Sequence, residues 1–331
     1  MERPALPDES PPAADAHARG VCAVSDGRAG NVRQAEALAD ALGRETNRHC
    51  TLEPRAPWRF VAPVRLPRSD RAFGEYFRSL LAMPPALAIG CGRQAALATR
   101  LLRERGAKVV QILDPRIAPR HWDLLVVPQH DALRGTNVLP LLGSLNPVDD
   151  LWLARARADF ADFAQLPRPR TAVLLGGSSR HARFDLASFE LLATRLDRAL
   201  ASDGGSVLLT ASRRTPQALR DALRQRYAER PGIVWLGSQE GPNPYPGLLG
   251  WADRIVCSPD SVNMISEACA SDVPVFVFEP AQATGRLRVF LDTLLARGRI
   301  RAMDDVLAPF AVEPLRETAR IAAEVRARLG R

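Results

Sequence analysis

Short apolar runs, each broken by a loop bearing glycine, serine or aspartate, alternate along this chain with segments of helical apolar spacing. Residues 21–24, 86–89, 108–113 and 124–127 read as strands in the first half, and 171–175, 206–210, 233–236, 254–257 and 273–278 in the second. Their apolarity is near-continuous rather than alternating, as in parallel strands covered on both faces and joined by crossover helices. Residues 32–42, 184–200, 262–270 and 314–329 carry the helical spacing. The stretch 44–67, rich in Arg and Pro, predicts an edge strand and a long loop, in which Trp58 is either an anchor or part of an acceptor- or membrane-facing surface. A helix of about five turns is expected to end at Leu166. Pro167-Arg168-Pro169-Arg170 then breaks the chain, and the pattern restarts. The expected architecture is α/β with two Rossmann-like domains, 20–145 and 171–312. Residues 146–170 form a linker helix and Pro/Arg hinge, and 313–331 a C-terminal helix packing back on the first domain. Residues 1–19, Pro-rich and acidic, read as a disordered tail.

Loops that follow parallel strands gather at one edge of the sheet, so their residue types matter. In the first half, Ser25-Asp26-Gly27-Arg28-Ala29-Gly30-Asn31 is a strand–glycine loop–helix opening. Gly27 and Gly30 allow close backbone approach, Arg28 can clamp an anion and Asp26 can act as a base; a plain tight turn is the other reading. The spacing is not GxGxxG, which gives a nicotinamide dinucleotide little support. Gly90-Cys91-Gly92 is a second such loop, with Arg93 and Gln94 at the following helix start. Asp26, Arg93, Asp114, His130 and Asp131 are expected at one edge. His130 beside Asp131 reads as base and orienter, or as a solvated loop histidine.

In the second half, Gly176-Gly177-Ser178-Ser179 after a buried strand reads as an anion cradle with Arg180 adding charge, or as a hinge-side turn. Arg213 and Arg214 open a helix in which Pro216 comes early. Asp260 and Ser261 precede another helix, whose start at Ser261–Asn263 offers N–H groups to phosphate oxygens. Glu267, within about two turns of that start, can accept two hydrogen bonds from a ribose diol, or be a solvated residue on a capped helix.

At 331 residues, with 46% hydrophobic and 25% charged residues, the chain has room for two soluble globular domains. The net charge is +8, and Lys108 is the only lysine. Guanidinium pairs bidentately with phosphate, so the balance suits phosphorylated substrates or anionic lipid. With aromatics at 6%, nucleic acid is not an expected partner. Cys22, Cys50, Cys91, Cys257 and Cys269 show no CxxC spacing and fit a reducing cytoplasm; Cys22, Cys91 and Cys257 read as core residues. No apolar run is long enough to cross a bilayer, and no Asp-X-Asp pair sits where it would hold a metal. The expected location is the cytoplasm, peripheral at the membrane at most.

The segment SPDSVNMISEA (258–268) resembles the donor-nucleotide segment of GT-B glycosyltransferases, especially the type that builds the peptidoglycan lipid intermediate. The chain as a whole is similar to the mitochondrial-fission Elm-type family, whose bacterial members look like glycosyltransferases. The matching segments include SDGRAGNVRQA (25–35), GCGRQAA (90–96), QILDPR (111–116), VVPQHD (126–131), LPLLGSLNPVDD (139–150), LLGGSSRH (174–181), LLTASRRTP (208–216) and NPYPGLLGWAD (243–253). Ser271-Asp272 departs from the Thr-Gly pair expected at the helix exit. The resemblance implies two GT-B-like domains facing a cleft, with a nucleoside-diphosphate sugar on the C-terminal domain. The acceptor, of cell-envelope or lipid-linked kind at the inner-membrane surface, falls to the N-terminal one. It also implies that Tyr245 lines the base, that Gln282, Thr284, Arg286 and Arg288 lie near the donor sugar, and that transfer needs neither metal nor cofactor. Arg180, Arg213 and the helix start would then offset charge on the leaving diphosphate, and Asp26 or His130 would take the acceptor proton. A sugar-nucleotide epimerase of the same fold and a non-catalytic nucleotide- or membrane-associated protein acting through partners remain open readings.

Overall fold

The computed structural model describes residues 20–43 and 47–330; the expected N-terminal tail, 1–19, lies outside them. The chain forms two compact units. One comprises Met1–Val127, Leu133–Pro140 and Ile321–Arg331, the other Pro128–Ala132 and Leu141–Arg320.

The first unit carries β1 (Val21–Ser25), α1 (Ala29–Ala41), β2 (Asn47–Thr51), the one-turn α2 (Trp58–Val61), α3 (Gly74–Ala82), β3 (Leu87–Cys91), α4 (Arg93–Arg103), β4 (Lys108–Ile112), β5 (Leu124–Pro128) and β6 (Val138–Leu141). These strands form one parallel sheet in the order β2-β1-β3-β4-β5-β6. All residues of β1, β3 and β5 are buried, which is what their unbroken apolarity predicts. Phe73, Phe77 and Trp122 fill the core beside them. Register sets Ser25 opposite Cys91, so the loops leaving β1 and β3 emerge together where the strand order reverses.

The second unit follows with α5 (Asp150–Asp159), β7 (Arg170–Leu175), α6 (Leu186–Asp203), β8 (Ser206–Ala211), α7 (Gln217–Tyr227), β9 (Gly232–Trp235), α8 (Tyr245–Trp251), β10 (Arg254–Cys257), α9 (Val262–Cys269), β11 (Val275–Val277), α10 (Gly285–Ala296), β12 (Ile300–Ala302) and α11 (Glu317–Leu329). The last of these runs on into the first unit, where Arg328 donates to the Thr136 carbonyl at 2.8 Å. The sheet order is β12-β11-β10-β7-β8-β9, a doubly wound sheet that reverses between β7 and β10.

Three local differences from the sequence reading have physical causes. The helix expected to reach Leu166 stops at Asp159: Phe160 leaves the helical region at φ −121° and packs so close to Gly247 that a Cβ there would lie 2.5 Å from its ring. A short 3-10 turn, Ala161–Gln165, completes the segment. The C-terminal helix starts at Glu317 rather than at residue 314, because the Leu315 N–H is drawn to the Cys269 carbonyl at 2.8 Å. The edge strand β12 was not foreseen; only Ile300 of its three residues is buried, too little for a periodic signal.

All five cysteines are buried and free, and burial pushes the Cys22 and Cys50 thiols up to about 12, out of the nucleophilic range. Among the described residues no helix is long and apolar enough to cross a membrane.

Candidate functional site

The reversal point of a doubly wound sheet is where loops from two neighbouring strands diverge and leave a crevice beyond their carboxyl ends. In the second unit those strands are β7 and β10, paired with Leu174 opposite Cys257. The loop after β7 begins Gly176-Gly177, and the loop after β10 is Ser258-Pro259-Asp260-Ser261. The two are tied directly. The Gly176 N–H donates to Ser258 Oγ at 2.8 Å, and the Gly177 N–H to Asp260 Oδ2 at 3.1 Å. Ser258 Oγ in turn donates to Asp260 Oδ1 at 2.6 Å, and Arg214 Nη2 reaches Asp260 Oδ2 at 2.6 Å.

The Asp260 side chain has no exposed surface. Its three donors are all groups of the protein, so it ties the two loops together, a role the sequence reading did not separate from donor contact. Neither glycine of the cradle has positive φ; the demand is for space. A Cβ at Gly176 would lie 2.1 Å from Asp260 Oδ2, and one at Gly177 would lie 2.6 Å from the Arg214 carbonyl. Ser178 and Ser179 turn their hydroxyl oxygens onto their own loop, accepting from Phe184 N at 2.9 Å and Ala182 N at 3.2 Å. Arg180 and Arg213 are exposed and carry no ion pair among the described residues. Arg214 is committed to Asp260, so the two cations of the Arg213-Arg214 pair have different work.

The helix α9 starts at this crevice. Ser261 is its N-cap, with extended backbone and a side chain accepting from the Met264 N–H at 3.4 Å. Ser261, Val262, Asn263 and Met264 are half-buried, while 265–270 are buried. The first N–H groups of the helix, which have no intrahelical acceptor, thus stand at a partly open end. The other end is sealed: Arg299, itself buried, donates to the carbonyls of Cys269 at 2.9 Å and Ser271 at 2.8 Å. Glu267 is only 3% exposed, and Tyr245 Oη donates to its Oε2 at 2.5 Å. Burial without hydration makes that pairing costly to break and holds the carboxylate in one orientation. On the same helix Ser266 Oγ accepts from Ser144 N at 3.1 Å, and a Cβ at Gly143 would strike that hydroxyl. The sequence reading gave the Gly143-Ser144 turn no part; a glycine-serine pair in an apolar run was its only sign.

His130 and Asp131 follow β5 and cluster with the second unit. Asp131 is buried and paired with Arg286 at the start of α10. The His130 ring meets Phe290 of α10 edge-on, centroids 6.1 Å apart. Burial, opposed by Asp131 and aided by Arg286, lowers the imidazole pKa below its ordinary value. His181 lies at the other side of the α10 start: its carbonyl accepts from Thr284 N at 2.8 Å, and a Cβ on Gly285 would lie 2.9 Å from its ring. Gln282 is exposed and leans on Glu279 at 3.4 Å.

In the first unit the reversal lies between β1 and β3. Asp26 Oδ1 accepts from Asn31 Nδ2 at 2.9 Å and from Arg28 N at 3.2 Å, and Arg28 Nε stands 3.5 Å from the same carboxylate. Cys91 Sγ donates to Asn31 Oδ1 at 3.6 Å. Ser25 Oγ accepts from Gly27 N at 3.3 Å, and Gly27 has φ +77°, a left-handed turn residue. Gly30 sits in the first turn of α1 and has no such φ. Arg93 and Gln94 are used elsewhere: both donate to the Arg59 carbonyl, at 3.1 and 2.9 Å, and hold the short helix α2. Asp114 accepts from Arg116 N at 2.7 Å within its own turn.

A family model described as Mitochondrial fission ELM1 matches residues 29–329. Mitochondrial fission protein ELM1 of Arabidopsis thaliana is 29% identical over 276 residues, 74% of this chain and 64% of that protein, so the chain spans less than two thirds of the plant relative's length. Among solved structures, the UDP-GlcNAc 2-epimerase of Methanocaldococcus jannaschii in complex with UDP-GlcNAc and UDP has a TM-score of 0.52 at 12% identity, over 93% of this chain and 99% of that one. Acinetobacter baumannii MurG has a TM-score of 0.47 at 14% identity, over 94% and 91%. The likeness to the epimerase and the two strand orders give the fold: α/β, a GT-B-like pair of Rossmann-like units.

The cradle's demand for space yields a prediction. Gly176→Ala forces a methyl group onto the buried Asp260 carboxylate and should lower stability by about 1–3 kcal/mol in thermal unfolding. An unchanged midpoint would mean that Asp260 can swing free of the loop.

Proposed function

We propose that this chain, which belongs to the mitochondrial fission ELM1 family, is a glycosyltransferase of GT-B type using a nucleoside-diphosphate sugar as donor and a cell-envelope or lipid-linked molecule as acceptor. The observation that carries the reading is the junction at the reversal point of the second sheet, where the Gly176-Gly177 turn is hydrogen-bonded to the loop that opens α9. A diphosphate laid across it meets the unpaired N–H groups of the helix start, with Arg180 and Arg213 to offset its charge. Glu267, oriented by Tyr245, then serves as the acceptor for the ribose hydroxyls, while the Tyr245 ring borders the base. The archaeal epimerase of the same fold is in complex with UDP-GlcNAc and UDP, which supports a nucleoside diphosphate as the occupant.

In the transfer itself, the acceptor hydroxyl attacks the anomeric carbon. Its proton passes to a base as the new C–O bond forms, and the bond to the diphosphate breaks with the electron pair leaving on the phosphate oxygen. The arginines and the helix start stabilise that developing charge and serve in place of a metal ion. We assign the base to His130. Burial keeps its imidazole neutral at pH 7, with a lone pair available, whereas the Asp26 carboxylate is already engaged by Asn31 and Arg28. Arg286 holds Asp131 beside it. The loops of the first unit are left for the acceptor.

Two measurements follow. Glu267→Gln should weaken UDP binding by roughly tenfold or more in calorimetry, with the fold unchanged, since a charge-assisted hydrogen bond is worth about 1.5–3 kcal/mol. Equal affinity would remove the ribose role. His130→Gln should abolish turnover of the donor with a membrane extract while leaving donor affinity intact. Because a lowered pKa keeps the base unprotonated further into acid, wild-type turnover should fall only below the ordinary imidazole value of about 6.5. An acid limb above that value, or a variant with normal turnover, would move the base elsewhere.

A further inference from the structure

The first unit carries a surface that the donor chemistry does not use. Residues 54–71 contain five arginines, Arg55, Arg59, Arg65, Arg68 and Arg71, against the single acid Asp70. Among them are Trp58, Phe60, Val61 and Val64. The strip is laid along α4 by hydrogen bonds at its first turn, its last turn and the residue just beyond it. Arg93 donates to the Phe60 carbonyl at 3.2 Å, Arg100 to the Pro63 carbonyl at 2.6 Å, and Arg65 pairs with Glu104 at 2.7 Å. At 1.5 Å per residue α4 is about 16 Å long, so the strip is pinned along its whole length.

Its side chains divide by depth. Trp58 packs against the core, whereas Phe60 is 67% exposed, Val64 48% and Val61 37%. Near the C-terminal end of α4 a cavity of about 410 Å³ opens, lined by Arg65, Arg68, Ser69, Asp70, Glu104 and Arg105. Ser69 is taken up by Leu66, accepting from its N–H at 3.0 Å and donating to its carbonyl at 2.6 Å, so it shapes the wall. The cavity thus holds three guanidinium groups, one of them paired with Glu104.

An apolar ridge set among five arginines, of which Arg65 is paired with Glu104 and Arg59 lies over the Phe60 ring, matches one kind of surface in particular. At an anionic bilayer interface, apolar side chains pass below the headgroups while the guanidinium groups stay level with the phosphates. We propose that residues 55–71 dock on a membrane surface rich in anionic phospholipid. Phe60, Val61 and Val64 enter the interface, and the cavity walled by Arg65, Arg68 and Arg105 takes a headgroup phosphate. The inference goes beyond the transferase reading and holds whether or not that reading does.

The test is flotation of the full chain with vesicles of phosphatidylcholine alone or mixed with phosphatidylglycerol. Binding is expected with the mixed vesicles only, and it should weaken as salt is raised. Phe60→Ser, and separately Arg65→Gln with Arg68→Gln, should each lower partition by about tenfold, with thermal unfolding and UDP affinity unchanged. Binding to neither vesicle, equal binding to both, or a Phe60→Ser variant that partitions like the parent would overturn the proposal. Two further outcomes would do the same. One is release of the protein from vesicles by inorganic phosphate beyond its ionic strength, which makes the cavity a site for a soluble anion. The other is a dimer in sedimentation that Phe60→Ser dissolves, which assigns the ridge to a second copy.

Discussion

The Asp260 carboxylate, with no exposed surface, accepts from the Gly177 N–H, the Ser258 hydroxyl and the Arg214 guanidinium at once. A buried charge is tolerable only when it is paired and hydrogen-bonded, and removing a partner leaves the rest exposed to the full desolvation cost. The arrangement therefore has few ways to relax. It fixes the turn after β7 against the loop after β10, makes glycine the residue that fits at position 176, and commits Arg214 to the protein. The proposed anion site is then left with the backbone of the turn, the open end of α9, and the cations Arg180 and Arg213.

The rest of α9 is anchored to match. Arg299 takes the carbonyls at its closed end, Ser266 binds the Gly143-Ser144 turn, and Tyr245 holds Glu267 near its middle. A helix gripped at three places presents its N-terminus in a defined direction, which is what preorganised charge stabilisation requires. The first sheet also reverses, but there the local network joins the half-buried Asp26 and Asn31 that follow β1 to the buried thiol of Cys91. Both sheets are doubly wound, but their strand orders differ, and so does the number of bonds that tie the loops at the reversal.

Much of the fold was legible because parallel strands buried on both faces announce themselves as unbroken apolar runs; β7 and β10 stand within a residue of where the pattern put them. The loops of the candidate site show in the sequence as glycine and serine after such runs. Side-chain direction was not. Asp260 and Arg214 read as donor contacts, yet their carboxylate and guanidinium face each other, because sequence spacing does not say which way a loop residue turns. Arg93 and Gln94 read as a helix-start anion site, yet they hold the carbonyls of the chain after Trp58, and nothing local to residues 90–96 could show that. The strip they hold was read as an Arg- and Pro-rich loop; its exposed ridge emerges only once Trp58 is seen to turn inward and Phe60 outward.

The central claim is that the turn after β7 and the start of α9 form one site for a nucleoside diphosphate. Hydrogen–deuterium exchange of the full chain with and without UDP tests it most directly. The account predicts added protection in peptides covering 175–180 and 259–267 together, with little change along 55–71. Protection confined to one of the two segments, or to neither while UDP is bound, would contradict it.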